Sequence, residues 1–237
     1  MTVKIVLINT ADSGITDQSE LEAVAEALTE QAQQHFALPP PHGYGIAAEV
    51  RVASTPFDQR AGEWPMVLLG SPDQPDALAY HWQTADGLPI MKIFTRLAQQ
   101  YGLPWSSVAS HEMVEALADP NCSRLALSWD GRLWAYETAD AVEARSYRAF
   151  NGVWLSDFVL PPYFEPVDSL ANLRLDWMGV LKSPLEIDAG GYGQWYDPRT
   201  GWHQVFSQQP VSAYRNHLLG SGRGHRRRTS AGTTTTP

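Results

Sequence analysis

The stretch Ser110-His111-Glu112-Met113-Val114-Glu115-Ala116-Leu117-Ala118-Asp119-Pro120 constrains this chain more than any other. It reads as a helix. Ser106 or Ser107, just past Pro104-Trp105, is placed to cap its start, and Asp119-Pro120 ends it, because a residue before proline avoids the helical region. His111 and Glu115 are four apart and leave the helix on one face, with Asp119 near the same line. Ala109, Met113 and Leu117 form a separate apolar line that can face a core. The helix therefore presents one imidazole and one or two carboxylates together, with Glu112 beside them. The arrangement is one residue away from His-Glu-x-x-His, in which two histidines one turn apart hold zinc and the glutamate is the general base. Glu115 stands where the second histidine would be. Carboxylate oxygen is itself a zinc ligand, so the site is altered rather than lost. An ordinary surface helix with acidic residues, and His111 on its edge, fits the same letters.

Downstream, Glu137, Asp140 and Glu143 recur every three residues in Trp134-Ala135-Tyr136-Glu137-Thr138-Ala139-Asp140-Ala141-Val142-Glu143. On a helix they would lie along one side. With Glu137 twenty-two residues after Glu115, the chain resembles the gluzincin metallopeptidases. That resemblance implies His111, Glu115 and Glu137 as metal ligands, Glu112 as the base, and Asp140 as the carboxylate that orients a ligand histidine. It implies a divalent metal, zinc first, and hydrolysis of peptide bonds by a metal-activated water, with a peptide or protein as substrate. A second set, His-Glu-x-x-Glu-x-x-x-Asp-Pro, then Glu-x-x-Asp, then Gly152-Val153-Trp154-Leu155-Ser156-Asp157-Phe158-Val159, resembles uncharacterised proteins encoded by tailed phages and prophages. It implies a virion context, with other virion proteins as partners. The alternative function is then a catalytically inactive head or tail component that keeps a metalloprotease-like fold. The chemistry of the ligands bears on the choice. Two carboxylates would formally neutralise zinc, acidify its water less, and admit calcium or manganese.

The expected fold is α+β: a zincin-like mixed sheet packed on the motif helix, followed by an irregular β-rich C-terminal half. Residues 1–165 form the zincin-like domain, 166–213 a β-rich extension, and 214–237 a flexible basic tail. Val3 to Asn9 reads as a buried strand. Ser19-Glu20-Leu21-Glu22 reads as a capping box, followed by Leu21, Val24, Ala25, Leu28, Ala32 and Phe36 at helical spacing. Residues 47–53, 64–70 and 89–94 are further strands, with 71–88 as loop. Asp130-Gly131 marks a hairpin turn. Further hairpins fall at 146–160 and around Trp195 to Phe206, with Asp197 to Gly201 as the second turn.

Other chemistry has less support. The only cysteine, Cys122, excludes a disulfide framework, and no base pairs with it by spacing. His42 and His81 read as loop histidines and His203 as a strand residue, none with a ligand-spaced partner; the alternative for His81, which lies just before the strand at 89–94, is that it approaches the cleft. There is no phosphate-binding glycine loop. The net charge of −9 disfavours unspecific nucleic-acid binding by the body. The tail differs: no acidic residue follows Asp197, and Arg226, Arg227 and Arg228 are suited to a nucleic-acid or acidic partner. No apolar run is long enough to cross a membrane, and no signal peptide opens the chain, so a cytoplasmic protein is expected, or a virion one if phage-encoded.

Overall fold

A computed structural model describes residues 2–74, 77–165, 167 and 171–207. The fold is mixed α+β. Its larger sheet is built on β1 (Thr2–Asn9), whose run Ile5, Val6, Leu7 and Ile8 is buried on both faces, as in a parallel strand covered on both sides. β1 pairs in parallel with β2 (Ala47–Val52) and with β3 (Trp64–Leu69). β4 (Ala79–Gln83) is the edge strand and runs antiparallel to β5 (Pro89–Phe94), which itself is parallel to β3. The order is β2-β1-β3-β5-β4.

β4 lies in the segment expected as loop. Its hairpin turn carries the signal: Thr84 N donates to Leu88 O at 2.7 Å, and Gly87 in Asp86-Gly87 takes φ +79°. Between β1 and β2, α1 (Gln18–Glu30) buries Leu21, Val24, Ala25 and Leu28 and continues as a π-helical segment, Gln31–Phe36. Its cap is Asp17, whose Oδ1 accepts from Ser19 N at 2.9 Å, and not the expected Ser19 box.

After a short α2 (Thr95–Gln100) comes the motif helix, α3 (Trp105–Ala118). The helix is where the sequence placed it, but its first residue follows Pro104 directly. Ser106 Oγ instead donates to Trp154 O, and Ser107 Oγ to Pro104 O, both at 2.8 Å, so neither serine caps. Almost every side chain of α3 is buried, because it packs on β4 and β5 on one side and on a later strand, Trp154–Ser156, on the other. The surface-helix alternative therefore fails. Buried hydrogen bonds fix α3 in place. Ser110 Oγ donates to Gln31 Oε1 at 2.8 Å and accepts from Ser156 N at 2.9 Å, while Gln31 Nε2 donates to Ser156 O at 3.0 Å.

The second half is built from short strands. β6 (Leu125–Leu127) and β7 (Leu133–Ala135) form the expected hairpin around Asp130-Gly131. Glu137 to Glu143 is not a helix; only Asp140–Val142 forms a 3-10 turn. β8 (Ser146–Arg148) pairs with β9 (Trp154–Ser156), and α4 (Pro161–Phe164) follows. β10 (Tyr192–Asp197) and β11 (Gly201–Phe206) make the last expected hairpin. β10 also pairs with β7, Trp195 opposite Trp134, so the second sheet runs β11-β10-β7-β6 and ties the expected extension to the segment that leads into Glu137. Among the described residues no helix is long and apolar enough to cross a membrane. The basic tail, 214–237, lies outside the described residues.

Candidate metal centre

α3 brings His111, Glu112 and Glu115 to its junction with the edge strand and with the loop that follows β7. Helix geometry sets the first contact: His111 Nε2 is 3.3 Å from Glu115 Oε1, one turn on. The loop supplies the second. Asp140 Oδ1 is also 3.3 Å from His111 Nε2. One ligand atom from each of His111, Glu115 and Asp140 lies within 4.8 Å of the other two. Asp140 thus touches the histidine that the resemblance says it should orient, in a position to ligate alongside it. Glu137, the expected third ligand, falls in a second group: Glu137, Glu115 and His81 also place one ligand atom each within 4.8 Å of the others.

His81 is the member of this cluster that the sequence reading did not select. It was expected in a loop. Instead β4 holds it against α3, buried, with Nδ1 3.3 Å from Glu112 Oε2 and 3.6 Å from Glu115 Oε2. Register explains the approach: pairing His81 opposite Met91 of β5 carries the edge strand over the face of α3 that bears the two glutamates. The Asp86-Gly87 turn was a usable signal for the strand, though not for its register. Cys122 lines the same wall, and its Sγ reaches His81 O at 3.6 Å. Among the described residues no hydrogen bond reaches His81 Nε2, which is buried.

Asp119 serves the backbone. Its carboxylate accepts from Ser123 N at 3.0 Å and Arg124 N at 2.8 Å and closes the turn after α3. His203 stacks on Trp195, with centroids 4.0 Å apart, within the last hairpin.

Burial and charge act in opposite directions here. Burial works against the charged form of His111, but Glu115, Asp140 and Glu112 outweigh it and hold the imidazole protonated well above its ordinary range. His81 behaves alike, with burial outweighed by Cys122, Glu112 and Glu137. Glu115 moves up, first through burial and then through the charges of Asp140 and Glu137, against the pull of His111. Burial also raises the Cys122 thiol. In the metal-free protein the buried carboxylates are thus offset by imidazolium, which a divalent cation would displace as protons leave.

The residues fit such a cation. Three atoms within 4.8 Å of one another leave a centre at most about 2.8 Å from each, and small rotations close that to the roughly 2.0–2.2 Å of zinc–nitrogen and zinc–oxygen bonds. The cavity over the cluster is lined by His81, Trp82, Glu115, Cys122, Glu137, Asp140, Tyr192 and Gln194. Its volume, about 20 Å³, is room for about one water. Tyr192 and Gln194 come from β10. Gly191 admits that strand, since a Cβ there would sit 2.3 Å from Ala141 O. Comparison of the chain with protein-family models, with curated proteins and with solved structures gives no match.

Proposed function

We propose that this chain is a zincin-like metal-binding protein that hydrolyses peptide bonds. The observation that carries the reading is the buried triad His111, Glu115 and Asp140, with ligand atoms mutually within 4.8 Å, on a helix that also bears Glu112. A mixed sheet with one antiparallel edge strand beside the motif helix supports it as well. His111, Glu115 and Asp140 would hold the cation, with Glu137 alongside. A divalent cation bound there would supply Lewis-acid activation of water and of a scissile carbonyl. Glu112 accepts the proton of the attacking water. Its carboxylate is oriented by His81 Nδ1 at 3.3 Å, so the edge strand positions the base as well as flanking the cleft.

One observation favours a second reading. Tyr192 and Gln194 leave about 20 Å³ above the cluster, and no peptide enters that space while β10 stays in place. In that case the metal staples α3 to the loop after β7, and the protein is an inactive scaffold such as a virion component. Elemental analysis of purified protein, together with cleavage of a broad peptide library by wild type and Glu112→Gln, separates the two. A hydrolase binds metal, cleaves, and loses cleavage but not metal in Glu112→Gln. Wild type that binds metal and cleaves nothing supports the scaffold. Wild type that binds no divalent metal ends both readings.

A further inference from the structure

Glu115 faces two histidines at once. Its Oε1 lies 3.3 Å from His111 Nε2, and its Oε2 lies 3.6 Å from His81 Nδ1. Each histidine has a second carboxylate of its own: Asp140 on the His111 side and Glu137 on the His81 side. The two triads share Glu115 and nothing else. Members of both, His81, Glu137, Glu115 and Asp140, line a single cavity. A further observation points to a ligand on the His81 side. Its Nε2 is buried without a hydrogen bond among the described residues, and a polar atom held out of water with no partner is destabilising unless something occupies its lone pair or proton. With Nδ1 turned to Glu112 at 3.3 Å, Nε2 is the nitrogen left to ligate, and the His111 triad leaves it unexplained.

We propose that the site holds two divalent cations side by side, bridged by the Glu115 carboxylate, with His81 and Glu137 on one and His111 and Asp140 on the other. The proposal rests on the metal-binding reading above and extends it from one ion to a pair. A carboxylate that offers one oxygen to each of two ions suits the separation of about 3.5–4 Å found in two-metal sites. Glutamate can do this at position 115 because its two oxygens point apart, one toward each histidine.

Charge leads the same way. Glu112, Glu115 and Asp140 are buried and Glu137 is half-buried, so four carboxylates meet in one cluster. One divalent cation neutralises half of that charge; two neutralise it and leave both imidazoles neutral, the form in which histidine ligates. Buried charge without compensation is costly, so the second ion has a physical reason to bind. The donor set mixes imidazole nitrogen with carboxylate oxygen. It favours borderline ions, zinc or manganese, over calcium, which takes oxygen ligands throughout.

The test uses the full chain, stripped of metal and loaded separately with Mn²⁺ and Zn²⁺. Bound metal is counted by equilibrium dialysis and elemental analysis, and the Mn²⁺ form is examined by low-temperature electron paramagnetic resonance. The expected result is about two ions per chain and the spectrum of a spin-coupled manganese pair. His81→Gln and His111→Gln should each retain about one ion, and Glu115→Gln should weaken both sites more than about tenfold. One ion per chain, lost in His111→Gln and kept in His81→Gln, overturns the pair and leaves the metal-binding reading standing. No bound ion overturns both. Two ions without spin coupling, or a count that His81→Gln does not change, puts the second ion elsewhere and overturns the proposal. Where a variant does not fold, the wild-type count and spectrum decide.

Discussion

Replacing Asp157 with asparagine should make the protein more stable at pH 8 and leave it nearly unchanged at pH 4. Asp157 and Asp176 are both fully buried. Asp157 Oδ1 accepts from Phe158 N at 2.8 Å and Met178 N at 3.1 Å, and the Asp176 oxygens accept from Val180 N at 2.9 Å and Leu181 N at 2.8 Å. Among the described residues Asp157 Oδ2 has no donor, and its neighbour is the other acid. Burial first, then the charge of Asp176, push Asp157 up to about 8 from 3.8. The folded state thus keeps a proton that the unfolded state releases, so stability is full below about pH 4 and falls as pH rises toward 8. A shift of about four pH units sets a ceiling of roughly 5–6 kcal/mol. Relaxation and water entry absorb part of it, leaving an expected gain of ~2–4 kcal/mol for the variant at pH 8, or roughly 5–15 °C in Tm. Asparagine keeps the Oδ1 acceptor and turns an amide toward Asp176, imitating the protonated acid at every pH. Thermal melts of both proteins from pH 4 to 8 test this, because other titrating groups cancel in the difference. A difference that stays flat with pH, or an asparagine variant less stable at pH 8, would refute the shared-proton argument.

Ser110→Ala should cost ~1–3 kcal/mol in chemical denaturation, because it leaves Ser156 N–H and Gln31 Oε1 buried without their partner. Gly191→Ala should cost ~1–3 kcal/mol, since its Cβ meets backbone at Ala141 O, and it should weaken metal binding as β10 shifts off Asp140. Mn²⁺ at about a hundred times its Kd should stabilise the fold by ~2.7 kcal/mol for each site it fills, seen as a rise in Tm that a chelator reverses; no rise would count against any resident metal.

The parts of the fold that were legible in the sequence depend on local geometry. Pro120 ends α3 because it acts on its immediate neighbour, and His111 faces Glu115 because four residues are one turn whatever surrounds them. The hairpins at Asp130-Gly131 and Asp197 to Gly201 are equally local. The parts that were missed depend on distant contacts. Glu137, Asp140 and Glu143 carry a helical spacing, yet β7, held at Leu133 and Trp134 by pairing with β10, feeds a loop and a single 3-10 turn there. His81 shows the same limit more sharply. Nothing within its own strand marks it as a ligand, since its partners lie 31 and 34 residues on and meet it only through the β4–β5 register.

Glu115 shows why one letter can mislead when a motif is taken as a template. With histidine as the standard at that position, glutamate reads as a weakened zinc ligand. In the fold it has a neighbour on each side, because α3 is buried between the edge strand and the loop after β7. An imidazole directs its two nitrogens to opposite edges of a rigid ring, and a nitrogen that binds metal usually leaves the other to donate to a carboxylate or carbonyl. Such a side chain at 115 would serve His111 and Asp140 or His81 and Glu137, but not both groups. A carboxylate serves both, with Oε1 toward His111 and Oε2 toward His81. The residue that departs from the familiar motif is therefore the one that joins the two halves of this cluster, and its replacement by histidine should separate them.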